Sequence, residues 1–105
     1  MAPTPPDTSS TCATCRPFGD AEPIRTPNDL TRVAARVRDA IGAGALSVAT
    51  DVPTGLVPAQ PSIDEVARGV WPDVVEQHFR CRACRRSFRL FAETYHGSGG
   101  EWRPE

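Results

Sequence analysis

The sequence predicts a small α+β domain: a β-hairpin that turns through a pair of cysteines, with one main helix inserted over residues 29–41. Three observations predict it. Cys81 and Cys84 form a C-x-x-C pair between two aromatic-rich runs, the pattern of a strand, a tight turn and a strand. Cys12 and Cys15 repeat the same spacing near the N-terminus. Between the two pairs, Leu30, Val33, Ala34, Val37 and Ile41 recur at helical spacing and form one apolar face.

Each element has a local reason. Residues 1–11 are Pro, Ser and Thr with little else, so they bury too little to offset their ordering entropy and are expected to be disordered. The first cysteine turn follows, with small residues between the cysteines that let backbone N–H groups face the sulfurs. Phe18, three residues beyond Cys15, is placed to pack over that turn. Asn28 is a good helix N-cap, Asp29 suits the positive helix start, and Gly42 and Gly44 supply the stop. Arg32, Arg36 and Asp39 fall on the opposite, solvated side. Ala45 to Thr50 alternates weakly and reads as a short strand, and Asp51 to Pro61, with three prolines, as an irregular connection. Ser62 and Glu65 have capping-box spacing for a short helix that Gly69 ends. Val74 to Arg80 enters the second cysteine turn as a strand, and Ser87 to Tyr95 leaves it as another. Residues 12–95 thus form one domain, and residues 96–105 a flexible, Gly-rich tail.

Composition sets the limits. With 105 residues, 11 prolines and 39% hydrophobic residues, the chain can build only a modest core, of the size that usually needs a staple. A net charge of −1 argues against binding nucleic acid or a membrane by bulk electrostatics. The charge is uneven, since all 12 basic residues are arginine and five of them fall between Arg80 and Arg89. The absence of lysine beside frequent alanine resembles GC-rich coding, so arginine alone does not signal guanidinium chemistry. No stretch has the apolar length of a membrane span, and no basic-then-apolar leader opens the chain. A cytoplasmic, reducing compartment is therefore expected. Paired C-x-x-C motifs there read as metal ligands, and disulfides in an exported chain are the alternative.

Two such pairs meet the demand of a tetrahedral Zn²⁺ site. Cys12, Cys15, Cys81 and Cys84 are the expected ligands, each turn presenting two thiolates. Four thiolates and one zinc add a charge of about −2. Either His78 or His96 can stand in for a cysteine, although neither has the paired spacing. No catalytic constellation is legible, and four cysteine ligands leave no open position on the metal. His96 and Ser98 share a loop without a partner, and the Gly-Ser-Gly-Gly run lacks the phosphate-loop spacing and its lysine. The chain is expected not to be an enzyme.

Phe79-Arg80-Cys81-x-x-Cys84 with Phe88-x-Leu90 resembles one half of a zinc ribbon, and Cys12-x-x-Cys15 its other half, displaced by a long helical insertion. The ribbon turn commonly has glycine after its second cysteine; Arg16 and Arg85 stand there instead. The ending from Cys81 through Trp102 resembles small bacterial proteins with a zinc-ribbon hairpin and a Tyr-His-Gly-Ser-Gly-Gly-x-Trp tail. Some short proteins of this kind serve as immunity or accessory factors beside toxins, which implies an interaction role and carries over no functional residue. The expected partner is a protein, met by Phe91, Tyr95, His96 and Trp102 with Arg86 and Arg89 at the rim. In the competing arrangement Trp102 folds back and closes the core. The alternative partner is nucleic acid, with the Arg80–Arg89 arginines on phosphates and Phe79, Phe88 and Phe91 stacked on bases. Against it, the same aromatics serve as core and the arginines neutralise the metal site.

Overall fold

The computed structural model describes residues 12–50 and 60–105. The lead-in at 1–11 and residues 51–59 of the irregular connection lie outside them. A single turn of 3₁₀ helix, Arg16–Phe18, is followed by β1 (Glu22–Ile24), α1 (Pro27–Gly42), β2 (Leu46–Val48), α2 (Ile63–Ala67), β3 (Val74–Cys81), β4 (Ser87–Glu93) and β5 (Gly99–Pro104). The five strands form one antiparallel sheet in the order β1-β5-β4-β3-β2. The α+β class stands, with one main helix.

Helix α1 begins earlier than expected because its N-cap is Thr26, not Asn28. The Thr26 hydroxyl accepts from the Asp29 N–H at 3.1 Å, and the Asp29 carboxylate accepts from the Thr26 N–H at 3.2 Å. Pro27, with no N–H to satisfy, takes the first helical position. At the other end Gly44 adopts φ 83°, which lets Ala45 N–H reach the Ala40 carbonyl at 2.9 Å and closes a Schellman motif. Leu30, Val33, Ala34, Val37 and Ala40 are buried; Ile41, expected among them, is only half-buried. Arg32 and Arg36 both reach Glu22 of β1, at 2.8 and 3.1 Å, so the expected solvated face also ties the helix to the sheet edge. Helix α2 starts at the Ser62–Glu65 capping box, as its spacing predicts, and Gly69 beyond its end has φ 91°.

The hairpin is in register from Val74 opposite Glu93 to Arg80 opposite Ser87. Val75, Phe79, Cys81, Phe88, Leu90, Ala92 and Trp102 are buried together with the inner face of α1 in one core. Strands β1 and β5 are the ones that sequence periodicity does not announce. The tail expected to be flexible is instead β5, an interior strand paired with β1 on one side and β4 on the other. Its glycines serve close approach and not flexibility. A side chain at Gly99 would run into the Ile24 carbonyl, and one at Gly100 into the Phe91 carbonyl.

Candidate metal centre

The second cysteine turn is a product of the hairpin. Cys81 ends β3, its N–H donates to the Arg86 carbonyl at 2.8 Å, and Arg85 N–H donates back to the Cys81 carbonyl at 2.9 Å. Ala83 N–H points at the Cys81 sulfur, 3.4 Å away. Closing so tight a loop places Arg85 at φ 70°, the left-handed region that the glycine of a ribbon turn would occupy without strain. The first turn is built otherwise. Arg16 N–H donates to the Cys12 carbonyl at 2.9 Å, and the chain then winds into the 3₁₀ turn Arg16–Phe18 without a positive φ. Arg16 therefore needs no glycine in its place.

The fold brings all four cysteine sulfurs within 4.8 Å of one another. Cys12 Sγ lies 3.7 Å from Cys15 Sγ and 3.6 Å from Cys81 Sγ, and Cys15 Sγ lies 3.7 Å from Cys84 Sγ. No two of the sulfurs are bonded to each other, so the structure holds no disulfide among the four. Sulfurs at tetrahedral corners about 2.3 Å from a metal are about 3.8 Å apart, so the donor set fits a tetrahedral ion. Burial differs across the cluster: Cys15 and Cys81 are buried, Cys12 half-buried and Cys84 exposed. The Cys15 N–H turned toward Cys12 draws that thiol down to about 6, whereas burial pushes Cys15 up to about 12. Such a split follows when thiols are crowded without a cation, since ionising one disfavours ionising the next. A dication among the sulfurs removes the conflict, because all four then ligate as thiolates.

Neither histidine joins the cluster. His78 is buried on the other face of β3, with Nδ1 2.7 Å from a Glu105 carboxylate oxygen and Nε2 3.2 Å from one of Glu76. His96 lies on the exposed β4–β5 turn, its ring edge-on to Tyr95 at 4.7 Å. Glu93 holds that turn by accepting from the N–H groups of His96 at 2.7 Å and Ser98 at 3.3 Å, and these bonds keep its carboxyl below the ordinary range.

The residues expected to meet a partner are dispersed. Tyr95, 71% exposed, and His96 lie on the surface. Phe91 is half-buried beneath the Arg89 guanidinium, 4.7 Å from its ring centroid, and Arg89 also pairs with Glu76 at 3.5 Å. Arg86 is half-buried beside the second cysteine turn. Trp102 is not at the surface. It is fully buried, stacked on Phe88 at 5.3 Å and tilted against Phe79 at 5.8 Å, and its Nε1–H donates to the Phe18 carbonyl at 2.8 Å. Phe79 and Phe88 are likewise fully buried, so they offer no face for base stacking. The Phe18–Trp102 link escapes the sequence altogether, because nothing in a two-residue pattern joins positions so far apart.

Comparison with known proteins finds no matching family model, no matching curated protein and no matching solved structure.

Proposed function

We propose that this chain is a non-enzymatic zinc protein whose Cys12, Cys15, Cys81 and Cys84 thiolates hold one structural Zn²⁺ in a zinc-ribbon-like arrangement, and that it works as a protein–protein interaction module. The observation that carries the metal assignment is the four-sulfur cluster itself, within 4.8 Å throughout and with three of its six spacings at 3.6–3.7 Å, close to the edge of a zinc–thiolate tetrahedron. Four protein ligands fill the shell, so the metal has no position at which to activate a water or a substrate. The interaction role draws on the exposed Tyr95–His96 pair, which a turn fixed by Glu93 presents to solvent. An immunity or accessory role beside a larger partner is the form of this reading that the tail's resemblance implies.

Elemental analysis of the purified chain is expected to return one zinc per molecule. Iron with visible absorbance, or no metal with oxidised cysteine pairs, would reject the assignment. Pull-down from the native host should recover a protein partner with the wild type and much less of it with Tyr95→Ala. Recovery unchanged by Tyr95→Ala and His96→Ala would remove this turn from the interface.

A further inference from the structure

Beside the second cysteine turn lies a cavity of about 330 Å³, lined by Ser47, Arg80, Cys81, Arg82 and Arg85. Six arginines elsewhere pair with carboxylates: Arg32 and Arg36 with Glu22, Arg38 with Asp39, Arg68 with Asp64, Arg89 with Glu76 and Arg103 with Glu101. No carboxylate is among the lining residues, and among the described residues the exposed Arg82 and Arg85 make no ion pair. Arg85 is also the one described residue other than glycine with a positive φ, 70°. A side chain held in the left-handed region stores strain that glycine would avoid, and such strain is characteristic of functional positions. What arginine supplies there and glycine cannot is a guanidinium on the cavity wall.

We propose that this cavity binds a phosphate group. The guanidinium fork matches phosphate oxygens with paired N–H donors, and the Ser47 hydroxyl, which donates to the Arg80 carbonyl at 3.5 Å, lies on the same wall. The frame is already set. Ser47 pairs with Arg80 across β2 and β3, Arg82 N–H donates to the Ala45 carbonyl at 2.9 Å, and Arg85 N–H is fixed on Cys81. The backbone is therefore in place before an anion enters, and the ordering left is that of the exposed Arg82 and Arg85 side chains. The proposal stands apart from the interaction role of the Tyr95 turn. Its chemistry is the phosphate group itself, whether carried by a small ligand such as a nucleoside diphosphate or repeated along a nucleic-acid backbone.

The test titrates the full-length, metal-loaded chain with inorganic phosphate, pyrophosphate, adenosine diphosphate and a short single-stranded oligonucleotide, following backbone amide shifts by NMR. Saturable shifts at Ser47, Arg82 and Arg85 with at least one probe are expected. Arg82→Ala combined with Arg85→Gly should weaken that binding about tenfold or more, as loss of charge-assisted contacts does, while zinc content is kept. Binding of pyrophosphate or the nucleotide as tight as that of the oligonucleotide identifies a small ligand. Oligonucleotide binding that falls steeply with salt identifies a backbone. If the double variant loses its metal, Arg82→Lys, which keeps the charge without the fork, must still weaken pyrophosphate binding several-fold. No saturable shift with any probe, or unchanged affinity in the variants, overturns the proposal.

Discussion

The turns at Cys12–Cys15 and at Cys81–Cys84 present the same ligands at the same spacing, but they are held by different means. The second is anchored by its neighbours in sequence. Strands β3 and β4 close it, and Arg82 N–H ties it to the start of β2 through the Ala45 carbonyl. The first has no strand on its N-terminal side among the described residues. It is held by the buried Phe18 side chain and by the Phe18 carbonyl that accepts from Trp102 at 2.8 Å. A C-x-x-C spacing therefore specifies how ligands are presented and leaves open what supports them. Cys12 and Cys81 are 69 positions apart, so a metal joining them closes a long loop and gains most by fixing the weaker turn to the stronger one.

Removing the proposed zinc should produce the largest effect and split the two turns apart. Structural zinc contributes about 10–16 kcal/mol of apparent binding energy in small domains, comparable to or above a domain's net stability of about 5–15 kcal/mol. Chelation, or Cys81→Ser, is expected to lower the melting temperature sharply and to loosen α1 against the sheet. Hydrogen exchange should show Arg16 and Phe18 losing protection first, with Phe79 and Leu90 in the hairpin holding longest. Simultaneous loss at all four amides would mean that the turns form one cooperative unit. An unchanged melting temperature would mean that the metal is peripheral.

Trp102 is the next point at which the comparison can be broken. Truncating a fully buried Trp typically costs about 3–5 kcal/mol, and Trp102→Ala should do so. Trp102→Phe is more selective. It keeps a ring against Phe88 and leaves the Phe18 carbonyl without its donor, at a cost of about 1–3 kcal/mol. Its effect should fall on the first turn, seen as faster zinc transfer to a competing chelator with little change in hairpin protection. Transfer at the wild-type rate would show that the Trp102–Phe18 bond does not hold that turn.

The parts of this fold legible in sequence are those written in local chemistry. The four cysteines, the hairpin from Val74 to Glu93, the short helix after Ser62 and the apolar face of α1 each follow from spacing within one element. The N-cap falls at Thr26 and not at the expected Asn28, although Thr26-Pro27-Asn28-Asp29 has a hydroxyl, a Pro at the first helical position and an acid three residues on. Asn28 competes for the role only if that pattern is ignored. The identity of β5 is different in kind. Gly99 and Gly100 look like a flexible loop because glycine serves both freedom and close approach, and only the Ile24 and Phe91 carbonyls decide between them. Trp102 likewise has the composition of a binding residue, and tertiary packing assigns it to the core.

The smallest expected effect tests the comparison most directly, because it asks two arginines at equivalent positions to respond with opposite signs. Arg85 holds φ 70°, at a strain of about 1–2 kcal/mol for a residue with a side chain. Arg85→Gly removes that strain but adds about 0.5–1 kcal/mol of unfolded-state freedom, so the folded protein should gain a fraction of a kcal/mol up to about 1. Arg16 follows its cysteine in an ordinary conformation at the start of the 3₁₀ turn. Arg16→Gly therefore has no strain to release and should lose about 0.5–1 kcal/mol. In a domain of this size 1 kcal/mol moves the melting temperature by about 4–8 °C, which calorimetry on the metal-loaded variants resolves. Loss in both variants would show that the second turn carries no strain, and the Arg85 guanidinium would then stay in the left-handed region at no cost to the fold. Gain in Arg85→Gly alone, with weaker phosphate binding in the same variant, would tie the strain to the cavity wall it supports.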